Sequence, residues 1–570
     1  MFKKYIYVSC IAILTLGCGG QKSLNNNTGI QAFEYKSQKT FTGSKGAVVS
    51  AHPIASEVGL AVLKDGGNAV DAAIATQLAL AVVYPEAGNL GGGGFLVAHL
   101  KDGKNLAIDF REKAPGKAHR DMYLDESGNA DVQKSQSGHL AAGVPGTVAG
   151  AFTAHRYAKL PFARLIQPAI ELAEKGYAIT AREASGLNAT QQSFQKYNTV
   201  APVFVKAAGW KAGDTLIQKD LANTLKRIRD KGMKGFYEGE TARLIVEEMK
   251  RGNGIISLED LKSYTAKERV ATTFNYKGYD VVTMPLPSSG GILLPQMMKM
   301  IADQPIAEYG FLSWQAVQLM TEVERRAYAD RAQYLGDVDF YKVPVEQLTS
   351  DEYARSRMKD YSLTKAGTSK EIGPGVISES EETTHLSIYD AEGNAVAVTT
   401  TLNGGYGSRT VVGGAGFLLN NEMDDFSVKP GVANMYGALG TAANAIAPGK
   451  RMLSSMTPTI VLKDNKPYIV VGTPGGTTIT TSVFQSLVNL LEFNMSPEDA
   501  VFKPKFHHQW MPDIIYVENN FPEEVKNKLT AMGYTVRQRG AIGRTELIVI
   551  KDGRIQAVAD NRGDDHVAGY

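Results

Sequence analysis

Beyond residue 18 the sequence contains no cysteine. Cys10 and Cys18 both fall near the start of the 570 residues, so the rest of the chain has no disulfide, no thiolate nucleophile and no cysteine metal ligand. An excess of one charge is also lacking. Lys and Arg number 61 against 59 Asp and Glu, a net charge of +2 spread along the chain, and the basic face that nucleic acid requires is not built. No HExxH zinc helix, GxSxG elbow or Walker loop occurs, nor any repeat of about 20–50 residues. With 43% hydrophobic and 21% charged residues the composition is that of an ordinary globular protein, whose stability must come from its core. Glycine is abundant, at 58 residues, above the roughly 7% norm, so tight turns are expected to be frequent.

The N-terminus is a different kind of segment. Lys3 and Lys4 precede the apolar run "YIYVSCIAILTLG", too short to span a bilayer comfortably and laid out like a secretory signal. Residues 1–17 are read as the signal peptide, with Cys18 as a lipidated mature N-terminus. The match to a bacterial lipoprotein signal is imperfect, because Thr15 stands where Leu is usual and Leu14 lies one place further back. An ordinary secretory signal and a buried helix are the alternatives. Residues 18–42 read as a polar tether. The expected location is periplasmic, or at the outer membrane through a lipid anchor on Cys18.

Residues 55–83, "ASEVGLAVLKDGGNAVDAAIATQLALAVV", read as two helices separated by Gly66 and Gly67, with Asn68 capping the second. The second is apolar nearly all round and should be buried. Turns in "KDGK", "EGNA", "KDNK" and "KDGR" sit between short apolar runs and predict four antiparallel hairpins. Residues 150–270, 313–335 and 351–360 read as mainly helical. Hairpins at both ends of the body with helices between them predict an α+β sandwich, antiparallel sheets covered by helices.

Several motifs carry chemistry only in combination. The run Gly91–Gly94 precedes a strand rather than a helix, so close backbone packing is favoured over a phosphate loop. "NNEMDDF" collects carboxylates without EF-hand spacing; it suits an ammonium, or a solvated loop. Gly475 and Gly476 follow a strand and can aim N–H groups into an oxyanion hole, or simply turn the chain. Ser454 and Ser455 are paired hydroxyls. Arg111 follows a strand and is read either as a surface ion pair or as a fork for a substrate carboxylate. Adjacent His507 and His508 are read as packed or hydrogen-bonded rather than metal-binding.

"SESEETTHLS" places Thr383 where a charged segment meets a strand. A threonine hydroxyl is a poor nucleophile unless a base takes its proton. If the chain is cut before Thr383, its own α-amine, with a pKa near 7.7–8.0, supplies that base. Thr401, at the end of the partner strand, is placed to hydrogen-bond the nucleophile.

Taken together, "GGNAVDAA", "GGGGF", "DFREKAP", "TTHLSIYD", "LLNNEMDDFSVKPG", "LSSMTPTIV" and "GTPGG" resemble the bacterial γ-glutamyltransferases, or γ-glutamyltranspeptidases, from about Gly43 to Tyr570. The resemblance implies a four-layer αββα sandwich of the N-terminal nucleophile hydrolase type, made as a precursor that cleaves itself between Glu382 and Thr383. A large subunit, 43–382, and a small subunit, 383–570, would remain one intertwined domain as a heterodimer. It implies Thr383 as nucleophile, Thr401 as its supporting hydroxyl, and Gly475 and Gly476 as oxyanion donors. Arg111, Ser454 and Ser455 would hold the glutamyl α-carboxylate; Asn403, Glu422 and Asp425 would surround the α-ammonium; Tyr436 would lie in a lid. Bacterial relatives often carry Gln at the position of Glu422. The implied substrates are glutathione and other γ-glutamyl compounds, with water, amino acids or dipeptides as acceptors and no metal or organic cofactor. The rivals are a glutaryl or β-lactam side-chain acylase of the same fold and a catalytically silent surface-binding lipoprotein.

Overall fold

The computed structural model describes residues 30–372, 383–429, 431–435, 437 and 439–570. The expected signal peptide, Cys18, Glu382 and Tyr436 lie outside the described residues.

All four predicted hairpins form. Gly93–His99 pairs with Asn105–Asp109, and Thr384–Tyr389 with Ala395–Thr401. Thr459–Lys463 pairs with Lys466–Gly472, and Glu546–Lys551 with Arg554–Ala559. They assemble into two seven-stranded antiparallel sheets. In the first, the order is His566–Gly569, Ala47–Ser50, Thr384–Tyr389, Ala395–Thr401, Gly93–His99, Asn105–Asp109, Lys267–Arg269. In the second it is Thr40–Gly43, Arg554–Ala559, Glu546–Lys551, Lys466–Gly472, Thr459–Lys463, Tyr279–Thr283, Thr272–Tyr276.

Strand periodicity sorts the side chains into three apolar layers. Leu386, Ile388, Val396 and Val398 face helices that include Pro53–Lys64 and Ala69–Val83. Ala395, Ala397, Phe95 and Val97 face Ile460, Val470 and Ile548 between the sheets. Val461, Ile469, Val471 and Leu547 pack against the helices Gly290–Ala302, Trp314–Tyr334 and Thr478–Leu491. The result is the four-layer αββα sandwich. Asn68 caps Ala69–Val83 in a reciprocal box with Asp71, and every residue of that helix is buried, as its all-round apolarity requires.

The folded body begins earlier than residue 43. Thr40–Gly43 is an edge strand of the second sheet, and Lys39 Nζ donates to the carbonyls of Asp560, Gly563 and Asp565 at 2.7–2.8 Å. A tether reaching to residue 42 is therefore too long: polar composition hid a segment bound to the body through a strand ladder, the Lys39 ammonium and the packed Phe41 ring.

Gly91–Gly94 is a packing device. A Cβ on Gly92 would lie 2.1 Å from the Thr401 carbonyl oxygen, and one on Gly94 2.3 Å from that of Thr399. Both obstacles are backbone, so neither can rotate away. Gly92→Ala is expected to cost about 1–3 kcal/mol or more through overpacking, measured as a lower denaturation midpoint; an unchanged midpoint would contradict this packing.

Candidate active site

Thr383 stands immediately before the strand Thr384–Tyr389, in the middle of the first sheet. Because Thr384 pairs with Thr400, Thr383 faces Thr401, and their hydroxyl oxygens are 3.4 Å apart. Asn403 has a left-handed backbone, φ 74°, which turns its N–H back onto Thr401 Oγ1 at 2.8 Å. Its side-chain amide donates to the Asn421 carbonyl at 3.0 Å. The Thr401 hydroxyl is thus fixed by the chain just beyond its own strand.

The next-but-one residue, His385, is not part of the site. Its ring lies between the sheets against Gly472, within 2.8 Å of Thr399 Oγ1 and 3.1 Å of Ser387 Oγ. Burial pushes its pKa down to about 3. His507 and His508 are buried in the same way, and burial lowers their pKa values to about 3 and about 4. They are the hydrogen-bonded pair expected from the sequence.

One cleft brings the predicted residues together: Thr383, Thr401, Asn403, Arg111, Glu422, Asp425, Ser454, Ser455 and Gly476 all line it. No histidine is among its lining residues. Gly475 stands one residue behind the wall, its carbonyl accepting from Thr478 N at 2.9 Å and Thr478 Oγ1 at 2.7 Å. Gly475 and Gly476 both have positive φ, 132° and 54°, a conformation that L side chains resist. They join Lys466–Gly472 to the fourteen-residue helix Thr478–Leu491, whose N-terminal end, carrying positive dipole, lies beside the cleft. Thr477 anchors the turn: its hydroxyl donates to Gln509 and its carbonyl accepts from Tyr328.

The charged wall is tighter than the sequence implied. Arg111 is 1% exposed and is no surface ion pair. Its Nη1 lies 2.6 Å from Glu422 Oε2 and its Nη2 2.5 Å from Asp425 Oδ2, with Glu112 at 3.5 Å. The sequence reading set a cation and two carboxylates at opposite ends of a head group. The structure has them in contact, because a buried guanidinium needs counter-charge. The carboxylates come from the short helical turn Glu422–Asp425. Asp425 Oδ1 also accepts from Asn434 at 2.9 Å, while neighbouring Asp424 accepts from Met435 N at 2.7 Å. The segment that precedes Tyr436 is thereby tied to the charged wall.

Burial raises the pKa of Glu422 well above the ordinary carboxylate value, and Arg111 opposes that shift. Glu112 is raised from 4.5 to about 8 by the same burial. Sequence reasoning missed Glu112, Asn434, Thr477 and Arg331. Arg331 lies in a helix with no motif to mark it, and Asn434 lies two residues before Tyr436 in the expected lid segment without having been singled out; only the fold brings both to the cleft.

A threonine at the head of a central strand, a glycine turn at a helix N-terminus and no lining histidine define an N-terminal nucleophile hydrolase. The family model described as gamma-glutamyltranspeptidase matches residues 55–570. The glutathione hydrolase proenzyme of Escherichia coli strain K12 is 46% identical over 533 residues, 92% of each chain. The cephalosporin acylase from Bacillus halodurans superposes with a TM-score of 0.82 at 26% identity, covering 95% of this chain and 98% of its own. A solved chain of Helicobacter pylori gamma-glutamyltranspeptidase is 44% identical with a TM-score of 0.56, covering 60% of this chain and 97% of its own. This chain belongs to the γ-glutamyltranspeptidase family.

The raised pKa of Glu112 has a consequence for stability. The native state holds a proton that the unfolded state releases between pH 4.5 and about 8, so stability from this group falls as pH rises through that window. Glu112→Gln keeps the neutral form throughout. Its melting temperature relative to wild type should therefore rise from pH 5 to pH 8; a pH-independent difference would refute this assignment.

Proposed function

We propose that Thr383 performs γ-glutamyl transfer in two steps after cleavage of the Glu382–Thr383 bond. The observation that carries this reading is the pairing of Thr383 and Thr401 hydroxyls in a cleft whose wall holds Arg111 against Glu422 and Asp425. Thr383 Oγ attacks the γ-amide carbonyl of glutathione or a related compound, and the Thr383 amine takes the hydroxyl proton. The N–H groups of Gly475 and Gly476, at the positive helix end, stabilise the oxyanion. The amine then gives its proton to the departing amine. Water, an amino acid or a dipeptide attacks the γ-glutamyl ester in the second step, giving hydrolysis or transpeptidation.

The head-group chemistry favours a γ-glutamyl donor over a glutaryl one. Glutaryl has no ammonium to pair with Glu422 and Asp425, and would leave those carboxylates facing an apolar methylene. Arg111, Ser454 and Ser455 take the α-carboxylate; Asn403, Glu422 and Asp425 take the α-ammonium. The cut before Thr383 draws support from the Helicobacter pylori chain, which is matched almost entirely by 60% of this one, about the share that precedes Thr383 in the folded body. The precursor would be exported on its leader and held by a lipid on Cys18, with Tyr436 closing over the substrate.

Thr383→Ala is expected to remain one full-length band on a denaturing gel and to release no p-nitroaniline from γ-glutamyl-p-nitroanilide. Wild type should show two bands, and release that accelerates when Gly-Gly is added as acceptor. A processed or active Thr383→Ala protein would end this mechanism.

A further inference from the structure

Arg331 is the cation in the cleft that the family motifs do not mark. It lies near the end of the helix Trp314–Tyr334, is 7% exposed, and lines the same cleft as Thr383 and Arg111. Its Nη2 donates to Ser455 Oγ and its Nε to Ser289 Oγ, both at 3.3 Å. Among the described residues no carboxylate lies within ion-pair distance of it; Asp425 acts on it only from further away. Burial accordingly lowers its pKa, and the distant Asp425 only partly offsets this.

The contrast with Arg111 is informative. Arg111 is matched at 2.5–2.6 Å by two carboxylates, so much of its charge is balanced within the protein. Arg331 is a buried cation held by two serine hydroxyls, with Asp425 acting on it only from beyond ion-pair distance. An uncompensated buried charge is expensive, and a substrate carboxylate placed against Ser455 would relieve that cost. The same helix, one turn earlier, sends Tyr328 to the Thr477 carbonyl. Trp314–Tyr334 therefore carries both the turn beside the oxyanion site and the back of the head-group wall.

We propose that Arg331 is a specificity residue for the α-carboxylate of the γ-glutamyl donor, acting through Ser455 Oγ and through its own guanidinium at the cleft wall. This rests on the γ-glutamyl reading above and adds a second cation to it. In this arrangement Arg111 meets the carboxylate while also holding Glu422 and Asp425 where the ammonium meets them, and Arg331 adds charge at the carboxylate end.

The test compares two p-nitroanilides: γ-glutamyl, and 4-aminobutanoyl, which keeps the ammonium but lacks the α-carboxylate. Both release the same uncharged amine, so a leaving-group carboxylate plays no part. Arg331→Gln should raise KM for γ-glutamyl-p-nitroanilide roughly 10- to 100-fold, the worth of one charge-assisted hydrogen bond, with kcat changed far less. KM for the 4-aminobutanoyl compound should stay nearly unchanged, and Arg331→Lys should recover part of the difference. Equal losses on both compounds would assign Arg331 a structural role and overturn the inference, as would an effect confined to KM for Gly-Gly. If Arg331→Gln is not processed into two chains, the same ratio is read on Arg331→Lys, where an unchanged preference overturns it. Failure of wild type to cleave γ-glutamyl-p-nitroanilide would instead remove the functional reading itself.

Discussion

Everything at the site depends on the antiparallel ladder between Thr384–Tyr389 and Ala395–Thr401. This hairpin lies inside the first sheet, with Ala47–Ser50 on one side and Gly93–His99 on the other. Both flanking strands precede Thr383 in sequence. A break before Thr383 would sever no ladder hydrogen bond and release no layer, so the two pieces would stay interlocked by the sheet they share. The same ladder sets the register that puts Thr383 opposite Thr401. A slip of one residue would turn Leu386 and Ile388 from the helix layer toward the opposite sheet, so core burial and the placement of Thr383 are enforced together.

The charged wall is a second constraint of a different kind. Burying Arg111 among Glu112, Glu422 and Asp425 takes four ionisable groups out of water, and attraction among them offsets that only when each finds a partner. Arg111 also donates to the Met452 and Leu453 carbonyls at 3.3 and 3.4 Å, just before Ser454 and Ser455. Its backbone N–H is held by Asp109 at 2.9 Å, and Asp109 in turn accepts from Arg269 at 2.7 Å. The guanidinium thus joins three segments distant in sequence: a strand end, the Glu422–Asp425 turn and the serine pair. Such a cluster contributes little net stability, but removing a charged member leaves its partner stranded, at a cost of about 3–5 kcal/mol.

Much of this was legible in the sequence because the signals were local. Hairpin turns, the Asn68 cap and the glycine run each act within a few residues, and each appears where its pattern placed it. The cleft residues were legible only as a set, since "DFRE", "NNEMDDF" and "LSSM" are individually ordinary. Arg331 was not legible. Its helix reads "VERRAYADRAQY", and Arg325, Arg326 and Arg331 look alike by composition. The fold separates them: Arg325 and Arg326 pair with Glu322, while Arg331 reaches two serines. The boundary near residue 40 was missed for a related reason, because the strand pairing and the Lys39 contacts there are made with residues more than 500 positions away.

The placement of histidines bears on which base the chemistry can use. His385 is two residues from Thr383 and so shares its face of the strand, but its ring packs between the sheets against Gly472 and does not line the cleft. Its neutral ring is consumed by Thr399 and Ser387. His507 is spent on Thr481 and Gln509, where it steadies the residue that anchors Thr477. With these imidazoles committed to structure, the base available to the Thr383 hydroxyl in the proposed mechanism would be the amine on the same residue. That amine is an amide nitrogen until the preceding bond is cut. Cleavage would therefore create the base rather than merely uncover it, so processing and activation would be one chemical event.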